Sequence, residues 1–109
     1  MSQSHYDCPC MEKCPLHHAM LLIGGKWKVQ ILCAVHNAGS IRYNALRGKL
    51  DGISNTVLAS ALRELERDGL VTRREYLEVP VRVEYSPTED CRELLPILEQ
   101  LSDWAEKRM

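Results

Sequence analysis

The feature that most constrains this 109-residue chain is a change of hydrophobic period at Gly69. Upstream of that glycine, Leu58, Ala61, Leu62 and Leu65 recur at helical spacing and share one face. Downstream, Leu70, Thr72, Arg74 and Tyr76 alternate with Val71, Arg73, Glu75 and Leu77, which is the period of a strand. A second alternating run sets Val81, Val83 and Tyr85 against Arg82, Glu84 and Ser86. Between the runs, Glu78-Val79-Pro80 supplies the turn, because proline offers no ladder donor and does not suit a central strand. The chain is therefore expected to pass from a helix straight into a hairpin with a protruding tip.

The helix before that hairpin has the clearest start. Ser54 stands where an N-cap belongs, and Ile53 and Leu58 are spaced as a hydrophobic staple around it. Its polar face carries Asn55, Thr56, Ala59, Ser60, Arg63 and Arg67. Three helices precede it. The first runs from Leu16 through Met20 and Ile23 until Gly24-Gly25 interrupts it, and the second carries Trp27, Ile31 and Val35 and stops at Asn37-Ala38-Gly39. The third is short, with Tyr43, Leu46 and Leu50 on one face, and Asp51-Gly52 then turns the chain. After the hairpin, Ser86-Pro87-Thr88-Glu89 fits a capping box with Ser86 as the cap, Thr88 being the alternative. A long last helix follows, with Leu94, Ile97, Leu98, Leu101 and Trp104 as a wide apolar stripe and Pro96 expected to bend it. That stripe exceeds what one edge of so small a domain needs, so part of it is expected to pack on a second subunit.

The fold class predicted is mainly α with a small β hairpin, arranged as a winged helix-turn-helix. Residues 1–13 read as a flexible arm and residues 14–109 as a single domain. No run approaches the roughly 20 apolar residues of a membrane span, and the first residues lack a signal-peptide pattern. A cytoplasmic location without membrane contact is the expectation. The net charge of -1 leaves nucleic acid open, since DNA contact needs a basic face rather than a basic protein.

In the order helix–helix–turn–helix–wing, the last helix of the turn motif suits the major groove and the wing the neighbouring minor groove. Ser54, Asn55, Thr56 and Ser60 are short hydrogen-bonding side chains near a helix N-terminus, which itself favours phosphate. Arg63 is long enough for base edges, Arg82 is placed for the minor groove or phosphate, and Lys26, Lys28, Arg42 and Lys49 are flanking phosphate contacts. Glu64 and Glu66 would repel phosphate, which confines the reading face to residues 55–63. On the pattern alone, the same polar face also fits a merely solvated helix surface.

Enzyme chemistry finds little support. Gly24-Gly25-Lys26 fails as a phosphate loop, because Met20 and Trp27 occupy the positions of its first glycine and its Ser or Thr. No metal-hydrolase helix motif or nucleophile elbow occurs, and no cofactor is expected. Cys8, Cys10 and Cys14, with His17 or His18, crowd together, but their spacing departs from the paired ligands of zinc sites.

From Cys14 onward the chain resembles the HxlR-type winged-helix regulators, relatives of the MarR group. The resemblance rests on Cys14-Pro15, on the run Ile23-Gly24-Gly25-Lys26-Trp27, on Ile41 to Arg47, on Gly52-Ile53-Ser54, and on Leu62 to Val71. It is strongest over Glu78 to Ser86, although Val81 and Pro87 depart from the usual residues. It implies a transcriptional regulator, with a repressor as the first expectation, that binds double-stranded DNA at a pseudo-palindromic operator as a homodimer. It also implies dimerisation through the N- and C-terminal helices, here Leu16 and Met20 with Leu94, Ile97, Leu98, Leu101 and Trp104. Some members resemble thiol switches using the cysteine before the first helix, a position matched by Cys14. A small electrophile or oxidant would then be the signal, with Lys13 and the helix dipole favouring the thiolate and Cys91 as a resolving partner from the other subunit. Cys33, Trp27 and Trp104 read as packing residues.

Overall fold

Ser54 begins the helix around which the fold is organised. Its hydroxyl accepts the Val57 N–H at 3.1 Å, and its neighbour Ile53 is buried with Leu58, as the staple requires. The computed structural model describes residues 14–109. Along the chain run α1 (Pro15–Ile23), α2 (Lys28–Ala38), β1 (Ile41–Arg42), α3 (Tyr43–Lys49), α4 (Asn55–Arg67), β2 (Val71–Tyr76), β3 (Arg82–Pro87) and α5 (Glu89–Glu106). The expected arm over residues 1–13 lies outside the described residues.

The change of period at Gly69 has a clear structural cause. Gly69 adopts a φ of 79°, its N–H donates to the Glu66 carbonyl and that of Leu70 to the Leu65 carbonyl. This is a Schellman closure, sealed by burial of Leu65 and Leu70. Gly39 closes α2 in a similar left-handed conformation, with a φ of 78°.

The sheet departs from the expected hairpin in having three strands, in the order β1-β3-β2, all antiparallel. β1 is only Ile41 and Arg42, opposite Tyr85 and Glu84, too short to produce an alternation of its own. The start of α5 also differs. Ser86 and Pro87 remain in β3, opposite Thr72 and Val71, and the cap is Thr88. The Thr88 hydroxyl accepts the Cys91 N–H at 3.2 Å and donates to the Gly69 carbonyl at 2.6 Å, tying the start of α5 to the end of α4. α5 continues through Pro96 without a break in its assignment.

The core lies between α2, α4, the sheet and one side of α5. Ile31, Leu32 and Val35 meet Leu46, Leu58, Leu65, Val71 and Cys91 there, all about fully buried. At roughly 1.5–3 kcal/mol per fully buried aliphatic side chain, this cluster is the main favourable contribution to folding. Trp27 packs against it from the edge, as expected. Leu98, placed by sequence on the dimer face, is instead only 8% exposed and belongs to this core. Leu94 is half-buried against it. Two apolar faces stay open: Leu16, Met20 and Leu21 on α1, and Ile97, Leu101 and Trp104 on α5. The exposed ring of Trp104 carries the Arg108 guanidinium 4.3 Å from its centre, so within the protomer it is no packing anchor.

Candidate nucleic-acid interface

The first turn of α4 is held from two sides. Ser54 caps it, and the Tyr43 hydroxyl of α3 donates to Asn55 Oδ1 at 3.1 Å and approaches its carbonyl at 3.3 Å. With Oδ1 engaged, the amide N–H groups of Asn55 remain to donate, for example to an adenine N7 or a guanine O6. Asn55 and Thr56 are exposed, Ser60 is half-buried, and Arg63 is exposed with no ion pair among the described residues. One residue here escaped the sequence reading: Val57 is 42% exposed in the same turn. Its position lies just off the buried stripe of α4, which was the signal available. A branched apolar side chain there suits a thymine methyl group.

The flanking cations divide into two groups. Lys26 is exposed, 4.9 Å from the centre of the Trp27 ring, while Lys49 and Arg42 are exposed on either end of α3. All three are open to solvent, Arg42 with its guanidinium also 4.0 Å from Glu84. Lys28 is not. Its side chain is only 11% exposed and its Nζ lies 2.6 Å from Glu64 Oε1, so it bridges α2 and α4 instead of facing solvent. The hydrogen bond and charge of Lys28 hold the Glu64 carboxyl below its ordinary range. Arg67 does the same for Asp68 through contacts of 3.0 and 3.2 Å. Two of the acids at the far end of α4 are thus neutralised locally, which softens the repulsion expected there; Glu66 stays exposed.

Arg82 also departs from its expected role. It contacts Glu78 at 3.1 Å and Glu84 at 3.5 Å, and lies over the Tyr76 ring at 3.9 Å. Glu84 additionally accepts the Ser40 hydroxyl at 3.0 Å and faces Arg42 at 4.0 Å. Arg82 is therefore fixed in the body of the wing. The cations the sequence reading missed are Arg73 and Arg74, both exposed on β2, with Arg73 paired to Glu75 at 3.8 Å and Arg74 5.0 Å from the centre of the Tyr76 ring. Together with Arg42, Tyr43 and Asn44, Arg73 lines a groove of about 600 Å³ between α3 and the wing.

The cysteines separate as well. Cys14 is buried at the N-cap of α1, ahead of Pro15, and its carbonyl accepts the His18 N–H at 3.1 Å. Cys8, Cys10 and Lys13 lie outside the described residues. Among the described residues no cluster of three metal-ligating side chains occurs. Cys91 is fully buried, and burial, followed by nearby Cys33, pushes its thiol up. It is thus enclosed in its own protomer's core, not presented to a partner's Cys14. Cys33 is half-buried and raised by burial too.

A helical core in which α4 offers a braced polar first turn and is followed by a β wing, with exposed arginines and lysines alongside, defines a winged helix-turn-helix DNA-binding protein. The chain belongs to the HxlR-like helix-turn-helix family, whose model matches residues 22–109. An HTH-type transcriptional regulator of Halalkalibacterium halodurans is 45% identical over 93 residues, covering 85% of this chain and 82% of the relative. A MarR-family transcriptional regulator of Porphyromonas gingivalis W83 superposes with a TM-score of 0.84 at 31% identity, covering all of both chains. The redox regulator HypR in its oxidised form superposes with a TM-score of 0.79 at 41% identity, covering 86% of this chain and 96% of that one. The protein is accordingly a transcriptional regulator of the helix-turn-helix type and not an enzyme. No helix among the described residues is long and apolar enough to cross a membrane.

Proposed function

We propose that the protein is a homodimeric repressor that reads a pseudo-palindromic operator through residues 54–63 and releases it when an oxidant or electrophile modifies Cys14. The observation that carries the reading surface is the bracing of Asn55 by Tyr43, which presents the side chain's donors at a fixed angle before any DNA arrives. Preorganisation of this kind lowers the ordering cost of binding.

The open apolar faces of α1 and α5 support a dimer, since exposed apolar patches of this kind mark interaction surfaces. Two α4 helices set roughly 34 Å apart would then enter successive major grooves. Cys14 starts α1, so a bulky adduct on its buried sulfur would push on the helix that carries Leu16 and Met20. A changed angle between protomers alters the spacing of the two reading helices. Similarity to HypR, itself a redox regulator, supports the choice of signal. The working place of such a protein is the cytoplasm, where its DNA is.

The test combines light scattering with a gel shift on the region upstream of the protein's own gene. A dimer that binds at nanomolar concentration and releases on treatment with diamide is expected, with Cys14→Ser still binding but no longer releasing. A Cys14→Ser protein that responds like the wild type would remove the thiol signal, and a monomer with full affinity would remove the dimer.

A further inference from the structure

The side chain at the head of α4 is held in one orientation, and that orientation suits one base. Asn55 is the first residue of α4 and is exposed. The Tyr43 Oη lies 3.1 Å from its Oδ1 and 3.3 Å from its carbonyl oxygen. That carbonyl already serves the helix ladder, so the single phenolic hydrogen goes to the nearer Oδ1. Tyr43 is a fixed post, because it opens α3 and its half-buried ring packs against the core. The Asn55 oxygen is thereby turned toward α3. The two arms of a carboxamide diverge from one carbon in a plane, so Nδ2 is turned away from Tyr43, with its N–H groups left to donate.

The pattern on the base edges then decides the partner. Adenine presents N7 as an acceptor and its N6 amino group as a donor. A carboxamide pairs with both only when its oxygen and its nitrogen face the base together. With Oδ1 held by Tyr43, Asn55 would meet the adenine amino group with a donor of its own and lose one of the two bonds. Guanine presents N7 and O6, two acceptors side by side, which suit a group that can only donate.

We propose that Tyr43 is a specificity-positioning residue, which makes Asn55 read guanine in the major groove in place of the adenine that an unconstrained asparagine prefers. This deepens the DNA-reading function proposed above and rests on it. Tyr43 acts here through one hydrogen bond to Asn55. Tyr43→Phe keeps the ring and its packing and removes only that bond.

The wild type first selects a duplex from a random pool, and Asn55→Ala marks the position that Asn55 reads as the one where preference disappears. Competition binding then compares bases at that position. Replacing its guanine–cytosine pair by adenine–thymine is expected to weaken the wild type by about 5- to 150-fold. The analogue 7-deazaguanine, which lacks the N7 acceptor, should weaken it too. Hypoxanthine, which keeps N7 and O6 and lacks only the minor-groove amino group, should bind as guanine does. In Tyr43→Phe the guanine-over-adenine ratio should shrink at least about fivefold, with preferences at the other positions unchanged.

Preference of the wild type for any base other than guanine at that position would overturn the proposal. So would a guanine preference equally strong in Tyr43→Phe, or an Asn55→Ala protein that keeps every preference of the wild type. A loss of preference in Tyr43→Phe spread over all positions alike would make Tyr43 a structural support and overturn it as well. Failure of the wild type to enrich any sequence would instead bring down the DNA-reading function itself.

Discussion

Lys28 Nζ lies 2.6 Å from Glu64 Oε1, joining the first turn of α2 to the third turn of α4 across the helix-turn-helix. The pair sets the reading helix against its support and draws the Lys28 ammonium inward, while the Glu64 side chain stays 43% exposed. Lys28→Met should therefore lower the melting temperature by a few degrees while leaving the salt slope of DNA binding unchanged. The pH dependence follows from Glu64. Its pKa is depressed in the folded state by Lys28, so the stabilisation is present above the ordinary glutamate range and is lost as pH falls through the depressed value. Thermal melts between neutral and acid pH should show this loss in the wild type and a weaker dependence in Lys28→Met.

The Tyr43–Asn55 contact predicts an effect on recognition without one on charge. Tyr43→Phe removes one hydrogen bond, worth about 0.5–1.5 kcal/mol, and frees the Asn55 side chain to rotate. Operator affinity should fall by roughly 2- to 12-fold, with tolerance for base changes at the position Asn55 reads. Competition binding against a set of single-base operator variants measures both.

Leu98 and Ile97 are neighbours with opposite roles. Leu98→Ala empties a core position and should cost about 2–5 kcal/mol in denaturant unfolding. Ile97→Asp, together with Trp104→Ala, alters exposed positions and should yield a folded monomer by light scattering. A dimer that survives both changes would place the interface elsewhere.

Cys33 and Cys91 make a prediction at the alkaline end. Burial raises both thiols in the folded protein, so the unfolded chain ionises them first. Stability associated with them is full below the ordinary thiol range and declines as pH rises through it toward the raised values. Cys91→Ala should lessen that alkaline decline, and native-state alkylation of Cys91 should be far slower than that of the denatured chain.

Much of this architecture was readable from local signals. Ser54, Gly39 and Gly69 act within a few residues of themselves, and each does what its local pattern demands. What was not readable depends on residues far apart in the chain. β1 exists because Ile41 meets Tyr85, and Lys28 is drawn inward by Glu64. Pro87 stays in the sheet because Val71 lies opposite, which moves the cap from Ser86 to Thr88. On α5, periodicity identified the apolar stripe but not which side of it the core takes, so Leu98 was grouped with Ile97. In the candidate interface, the reading turn was legible from its short polar side chains. The internal pairing of Lys28 and Arg82 was not, because a charge pattern along the chain does not say which acid each cation meets.

Reading of DNA by the first turns of α4 is put to the test by selection of duplexes from a random pool. The wild type should enrich a pseudo-palindromic motif with half-sites about one helical turn apart or a multiple of it. Arg63→Ala and Asn55→Ala should each lose about 1–3 kcal/mol of preference at particular positions of that motif. Enrichment of no sequence by the wild type, or of the same motif with equal strength by both variants, would contradict the account.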